Sequence, residues 1–177
     1  SLNITGPPNL TYLDCSDNQL TSIDVSTNFS LRDLRCTNNQ LTSLDVSFHP
    51  ALYYLGIQPA LYYLDCSDNQ LTSLNVSGVT TLGILSCNYN QLTNLNVSSC
   101  GVTYLSCNYN QLTSLNVSQN ALTHLDCSDN HLTSLDVTNG INPSLVDFTT
   151  TNNPNLTCID VSDPQLADFY WTNIDPQ

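Results

Sequence analysis

The chain of 177 residues carries 15 acidic and only 2 basic side chains, which gives a formal net charge of −13 at pH 7. Nucleic acids and anionic membranes bind through basic surfaces, so this composition argues against both as partners. No apolar run is long enough to cross a bilayer, and we expect no membrane insertion.

A motif of about twenty residues recurs along almost the whole chain. Its first copy alternates Leu13 and Cys15 with polar neighbours, and Ile23 and Val25 repeat the alternation in its second half. A period of two predicts short strands whose side chains point alternately inward and outward. The first apolar residue of each copy marks the register: Leu10, Leu31, Leu61, Leu82, Val102, Leu122 and Leu145. Because one copy cannot bury its own apolar residues, stacked copies must share one continuous core.

One interval breaks the regular spacing. The copies begin 20 to 23 residues apart, except that 30 residues separate Leu31 from Leu61. The sequence Pro-Ala-Leu-Tyr-Tyr-Leu occurs at 50–55 and again at 59–64, and this shift of 9 residues is too short for another turn. The insertion near 50–60 is either a tolerated loop or a protruding aromatic loop that presents Tyr54.

We predict a single solenoid domain over residues 1–177. Residues 1–9 form a partial first turn, residues 10–165 form seven repeats, and residues 166–177 form a truncated last turn. The weak helix formers Thr, Ser, Asn and Asp dominate between the apolar positions, so we expect little or no helix. The chain starts and stops within a turn, and we expect a fragment of a larger secreted protein.

The pattern Leu-x-x-Leu-x-Cys-x-x-Asn-x-Leu-x-x-Leu-[Asp/Asn]-Val resembles a leucine-rich repeat. Six copies match all seven positions, with Ile23 and Val102 as aliphatic substitutes, and the seventh is shifted around Pro154. The wording Cys-Ser-x-Asn-Gln-Leu-Thr-Ser-Leu is similar to the short, secreted repeats of Bacteroidetes-type bacteria. The resemblance implies a leucine-rich-repeat solenoid, mostly β with parallel strands stacked one per turn. It also implies a secreted or cell-surface bacterial protein.

Two rows of residues at fixed positions are interpreted as structural. One inward strand position is always cysteine: Cys15, Cys36, Cys66, Cys87, Cys107 and Cys127. We expect these thiols to be reduced fillers of the core, because parallel stacked side chains rarely reach disulfide geometry. With no Cys-x-x-Cys pair, the sequence predicts no metal, and no cofactor is expected. The resemblance implies that an asparagine row is buried and bonds the backbone of adjacent turns: Asn18, Asn39, Asn69, Asn90, Asn110, Asn130 and Asn153.

The outward positions vary between copies and are the candidates for a binding site. We select Tyr12, Asp14, Asp33, Arg35, Tyr54, Tyr63, Asp65, Tyr89, Tyr104, Tyr109, His124 and Asp126. Tyrosine rings offer rigid contact area, and the polar groups offer directed hydrogen bonds. We predict a non-enzymatic, monomeric module that recognises an extracellular protein or peptide. Alternatives are a glycan-binding module on the same face, a structural or adhesin spacer, ice binding by the Thr, Ser and Asn ranks of the second half, or ordinary packing of a solvated sheet.

One strand resembles a catalytic triad in composition, because His124, Asp126 and Ser128 share a face. Residues two apart on a strand are separated by about 6.8 Å, whereas triad members must lie within hydrogen-bond reach. We therefore predict no catalytic residue and no enzyme activity.

Overall fold

A computed structural model describes residues 1–4, 9–47, 59–138 and 145–161 of the chain. The first copy of the duplicated hexapeptide, with Tyr54, and the truncated last turn at 166–177 lie outside the described residues.

Fourteen short strands occur in the described part of the chain. In chain order they are β1 (Leu2–Asn3), β2 (Tyr12–Asp14), β3 (Ile23–Asp24), β4 (Asp33–Arg35), β5 (Ser43–Asp45), β6 (Tyr63–Asp65), β7 (Ser73–Asn75), β8 (Ile84–Ser86), β9 (Tyr104–Ser106), β10 (Ser114–Asn116), β11 (His124–Asp126), β12 (Ser134–Asp136), β13 (Asp147–Thr149) and β14 (Cys158–Asp160). Each strand is short because a polar turn follows the few alternating residues of each half-copy. The described residues contain no helix.

Two rows of parallel strands run along the stack. The first half-copies form one seven-stranded sheet in the order β13-β11-β9-β8-β6-β4-β2, and the second half-copies form the sheets β1-β3, β5-β7 and β10-β12-β14. The register is the same from turn to turn, so that Leu34 lies opposite both Leu13 and Leu64. The predicted fold class is therefore confirmed. The second half-copies, whose alternation the sequence also showed, add a second strand to most of the described turns, whereas the resemblance implied one strand per turn.

The core is a column of leucines to which the successive turns contribute. The middle residues of five successive strands of the large sheet are fully buried register partners: Leu34, Leu64, Leu85, Leu105 and Leu125. Burying one leucine side chain contributes roughly 1.5–3 kcal/mol. No turn encloses its own leucine, so stability comes from the stacking of neighbours.

The cysteine row lies inside this core. All six cysteines are buried free thiols. The S–H of Cys15 donates to the Arg35 carbonyl at 3.4 Å, and that of Cys66 donates to the Ser86 carbonyl at 3.5 Å. Burial raises the pKa of every thiol in the row, that of Cys87 to about 12. These thiols are protonated at neutral pH, and a buried, protonated thiol is chemically inert.

The asparagine row ties each turn to the preceding one. Asn39 Nδ2 donates to the carbonyls of Cys15, Cys36 and Thr37 at 3.0–3.2 Å. Asn39 Oδ1 accepts a hydrogen bond from the Leu20 N–H at 2.9 Å. The same donors and acceptor recur at Asn69, Asn90, Asn110 and Asn130. The burial expected for this row is wrong for Asn18, which is exposed and donates to the Cys15 and Ser16 carbonyls of its own turn.

A second set of buried side chains lies in the bend that follows the second half-copy of a turn. Asn28, Val79, Cys100 and Asn120 are buried there. Cys100, which lies outside the cysteine row, donates its S–H to the Val76 carbonyl at 3.3 Å. Cys158 is exposed.

Candidate functional site

The outward side chains of the seven-stranded sheet, together with one position in the turn after each strand, form a surface that we call the strand face. The first residue of each strand forms column 1: Tyr12, Asp33, Tyr63, Ile84, Tyr104, His124 and Asp147. The third residue forms column 2: Asp14, Arg35, Asp65, Ser86, Ser106, Asp126 and Thr149. The turn column is Asp17, Asn38, Asp68, Tyr89, Tyr109, Asp129 and Asn152. The predicted binding residues that the structure describes lie in these columns, with equivalent residues side by side in adjacent turns.

We number the turns from the first complete repeat, so that turns 1 to 7 contain the strands β2, β4, β6, β8, β9, β11 and β13. Turns 1–3 hold an internally bound cation. Arg35 lies with its guanidinium carbon 5.6 Å from the centre of the Tyr12 ring and 4.8 Å from that of Tyr63. Its Nε and Nη2 donate to the two carboxylate oxygens of Asp33, both at 3.1 Å. Two aromatic faces and a bidentate carboxylate are the partners that a planar guanidinium prefers.

Two further residues of column 1 stack on each other. The rings of Tyr104 and His124 lie 4.0 Å apart at an interplanar angle of 3°. His124 Nδ1 lies 2.9 Å from Asp147 Oδ2, so Asp147, which the site prediction omitted, fixes the imidazole. Burial and then Asp126 raise the pKa of the Tyr104 phenol, which is therefore neutral at physiological pH.

The turn column has a backbone conformation that the sequence did not reveal. All seven of its residues have φ between 50° and 60°, in the left-handed region. Asp and Asn tolerate this region, whereas it is uncommon for a bulky residue. Tyr89 and Tyr109 nevertheless occupy it, each at φ 51°. Their rings stack at 4.4 Å with an interplanar angle of 10°, and the two side chains are 51% and 46% exposed. Asp129 and then Tyr89 raise the pKa of the Tyr109 phenol.

The strand face is strongly acidic. It contains eight aspartates: Asp14, Asp17, Asp33, Asp65, Asp68, Asp126, Asp129 and Asp147. On the described part of the face, the ion pairs are Arg35 with Asp33 and, when the imidazole is protonated, His124 with Asp147. Several other carboxylates accept hydrogen bonds from neutral groups. The Ser16 backbone N–H, for example, donates to Asp14 and lowers the pKa of that carboxyl.

Tyr62, which immediately precedes β6 and lies next to the strand face, is an exposed aromatic residue that the sequence prediction missed. Its side chain is 53% exposed, and it packs over Gly83 so closely that a Cβ at Gly83 would overlap the ring. The sequence contained a signal for this contact. The residue just before the first strand of a turn is threonine at Thr11, Thr103 and Thr123 but glycine at Gly83, which leaves room for the ring.

The residues that resembled a catalytic triad make other contacts. Ser128 Oγ donates to Asp126 at 2.6 Å, while His124 is bonded to Asp147 of the next turn. No relay therefore joins the three. Across the described ranges, no group of three or more His, Cys or Asp side chains is placed to hold a metal ion. No helix in the same ranges could span a membrane.

The polar ranks of the second half-copies have structural partners. Asp24 Oδ1 accepts from the Ser26 N–H at 2.9 Å, and Asn116 Oδ1 accepts from the Ser118 N–H at 2.9 Å and its hydroxyl at 2.7 Å. The Thr133 hydroxyl donates to the carbonyl of Thr113 at 3.2 Å. These side chains bond the backbone of their own solenoid, as short polar residues do in turns.

Comparison with known proteins supports the leucine-rich-repeat interpretation. Residues 8–49 match a family of leucine-rich repeats in two copies. The structure is similar to the functional domain of InlJ from Listeria monocytogenes, which includes a cysteine ladder, with a TM-score of 0.66 and 30% sequence identity. The match covers 91% of this chain and 42% of the InlJ chain, so this chain spans less than half of that protein's solved length. No curated protein matches the sequence significantly.

The fold is thus the leucine-rich-repeat solenoid that the sequence predicted. Its cysteine row has a counterpart in a bacterial protein. The narrower likeness to short Bacteroidetes-type repeats stays a prediction.

Proposed function

We propose that this chain is a non-enzymatic recognition module that binds a protein or peptide through the strand face. The observation that carries the proposal is the exposed Tyr89–Tyr109 stack in left-handed backbone. A non-glycine residue held in such a conformation costs of order 1–3 kcal/mol, and such residues cluster at functional sites. Asp or Asn fills the other five turns at lower cost, so the two tyrosines serve something other than the fold.

Ring geometry favours a protein or peptide over a glycan. In both stacks one face of each ring is covered by its partner, at 4.4 Å for Tyr89 and Tyr109 and at 4.0 Å for Tyr104 and His124. A sugar that packs on an open aromatic face finds only the outer faces of each pair. The exposed edges and phenol hydroxyls suit the mixed apolar and hydrogen-bonding contacts of a polypeptide.

We further propose that the module acts outside a bacterial cell, secreted or on its surface, as a monomer that binds neither nucleic acid nor membrane. The repeat wording, the net charge of −13 and the similarity to a bacterial leucine-rich-repeat structure support this setting. The self-bonding of the second half-copies weighs against ice binding there.

Selection of random linear peptides displayed on phage against the immobilised chain tests the proposal, with a glycan array probed in parallel. We expect peptides that bind the unchanged protein and lose at least about tenfold in affinity on Tyr89→Asn/Tyr109→Asn, because a central aromatic contact contributes roughly 1.4 kcal/mol or more. Asn38 and Asn152 show that asparagine fits this turn.

The matched control is Val146→Thr. Val146 is 77% exposed on the last described turn of the sheet, and Thr103 and Thr123 hold the equivalent column. The control should keep full binding. Hits on the glycan array alone, or no ligand that depends on the tyrosine pair, would favour the glycan or spacer alternatives instead.

A further inference from the structure

On the strand face, a tyrosine stands on each side of turn 4, just as a tyrosine stands on each side of turn 2, where Arg35 lies. Tyr12 and Tyr63 flank turn 2, with one turn between them, and Arg35 lies between their rings. Tyr63 and Tyr104 flank turn 4 in the same way, because Ile84 is the register partner of both. Side chains two turns apart are separated by about 9.6 Å, enough for a planar group to lie between two rings.

Turn 4 lacks the side chain that fills turn 2. Ser86 occupies the column 2 position of Arg35, and Ile84 occupies the column 1 position of Asp33. The side of Tyr104 away from turn 4 is stacked on His124, and the side of Tyr63 toward turn 2 contacts Arg35. The ring sides that face each other across Ile84 are therefore the ones left for a ligand.

The surroundings of this slot favour a cation. Asp65 lies in column 2 of turn 3, accepts a hydrogen bond from the Ser67 N–H at 3.1 Å, and has no ion pair among the described residues. Asp65 follows Tyr63 by two residues on β6 and is the register partner of Ser86, so it lies at the edge of the slot. Ile84, half-buried beneath, keeps water from one side of a bound group, and cation–π attraction strengthens when the cation is desolvated.

We propose that the slot between Tyr63 and Tyr104, above Ile84 and Ser86, binds an arginine side chain of the partner polypeptide. The inference rests on the proposed function and adds the chemistry of the ligand. Arg35 is the internal precedent, because its guanidinium is held by two tyrosines and an aspartate on the same surface. The eight face aspartates attract a basic segment as it approaches.

The probe is a fluorescent glycine–serine peptide with two arginines, compared at low salt with the same peptide carrying two lysines or two citrullines. We expect the arginine peptide to bind the full chain about tenfold more tightly than the citrulline peptide, which has the same shape but no charge. Lysine should be intermediate, because its ammonium is not planar.

The decisive variant is Ser86→Arg, which supplies the slot with its own guanidinium as turn 2 does. It should fold with an unchanged melting temperature and bind the arginine peptide at least about tenfold more weakly. Thr149→Arg adds the same charge in the same column at turn 7 and should weaken binding less than about threefold. Tyr104→Ile, which uses the residue of turn 4, removes one wall and tests the slot if Ser86→Arg fails to fold.

Three results would each overturn the proposal that the slot binds arginine. The first is equal binding of the arginine and citrulline peptides, and the second is no binding of either. The third is an equal loss of binding for Ser86→Arg and Thr149→Arg. The proposed function would survive those results if phage-selected peptides still depended on Tyr89 and Tyr109. It would fail separately if no selected peptide did.

Discussion

Turns 1–3 and turns 4–5 of the strand face have the same backbone but different surfaces. In the first region the left-handed turn position holds Asp17, Asn38 and Asp68, and the only arginine of the columns is held by its own tyrosines and aspartate. In the second region the same position holds the exposed Tyr89–Tyr109 pair. The first region binds its cation internally, while the second places two tyrosines in left-handed backbone. Exposed rings alone do not separate the regions, because Tyr12 and Tyr62 of the first are also exposed. This difference in backbone strain is why we propose turns 4–5, with their neighbours Tyr63 and His124, as the part of the face that a partner contacts.

If the two regions differ only at the surface, equivalent substitutions in the asparagine row should destabilise both regions equally. Asn39→Ala in the first region and Asn110→Ala in the second should each lower the free energy of unfolding by about 2–4 kcal/mol. Each substitution removes three donated hydrogen bonds and leaves one backbone N–H, that of Leu20 or Leu92, without its acceptor. Urea unfolding followed by circular dichroism measures both.

Asn18→Ala is the control for this pair. Asn18 is exposed and donates to Cys15 and Ser16 of its own turn, so its loss should cost about 1 kcal/mol. If Asn39→Ala and Asn110→Ala differed by more than about 2 kcal/mol, the two regions would differ in the core as well as on the surface.

A tyrosine moved into the first region should show the cost of the left-handed position by itself. Asn38→Tyr should destabilise the protein by about 1–2 kcal/mol, because its neighbours Asp17 and Asp68 offer no ring to stack on. The variant also removes the hydrogen bond from Asn38 Nδ2 to Asp17, 2.8 Å long.

Asn38→Gly separates strain from lost bonding in the same thermal melts. Glycine enters the left-handed region without steric cost and lacks the amide. It should be more stable than Asn38→Tyr. Equal stability of the two variants would mean that the turn imposes no strain on a tyrosine, and the cost inferred for Tyr89 and Tyr109 would be wrong.

The smallest expected effect is a pH dependence at the second half-copies. After each of these second half-copies, an Asp or Asn side chain caps the turn by accepting a hydrogen bond from the backbone N–H two residues later. This cap is Asp24 and Asp45 in turns 1 and 2, but Asn75, Asn96 and Asn116 in turns 3–5. Hydrogen bonds from Ser26 lower the pKa of Asp24 below 3.8, and bonds from Ser47 and Asn75 outweigh burial to lower that of Asp45. A lowered folded-state pKa gives stability that is present above pH 3.8 and is lost as the pH falls through the folded value.

Asp24→Asn/Asp45→Asn keeps the cap and removes the titration. Melting temperatures should be measured from about pH 6 to about pH 2.5, a range that brackets the ordinary pKa of Asp. They should fall less steeply with falling pH for this variant than for the unchanged chain. An identical slope would mean that these two caps do not contribute to the acid sensitivity.

The sequence predicted the inward rows and the outward columns, because a period of two separates the two sides of a strand. It did not reveal the left-handed turn position, since alternation carries no information on the sign of φ and tyrosine is uncommon there. Nor did it reveal which rings meet across turns. These contacts depend on side-chain rotamers that neighbouring turns select together. Examples are the position of Arg35 between Tyr12 and Tyr63 and the stacking of Tyr104 on His124. Asn18 shows a further limit of sequence reasoning: it matches the asparagine row in the repeat pattern, yet its side chain is exposed and bonds only its own turn.

The most direct test of the account measures stability and binding together on Tyr89→Asn/Tyr109→Asn. Relief of two strained positions should outweigh the lost stacking and raise the melting temperature by about 2–4 °C. The same variant should bind the phage-selected peptides at least about tenfold more weakly than the unchanged chain. A lower melting temperature with unchanged binding would contradict the account, because the tyrosines would then serve the fold and not a partner.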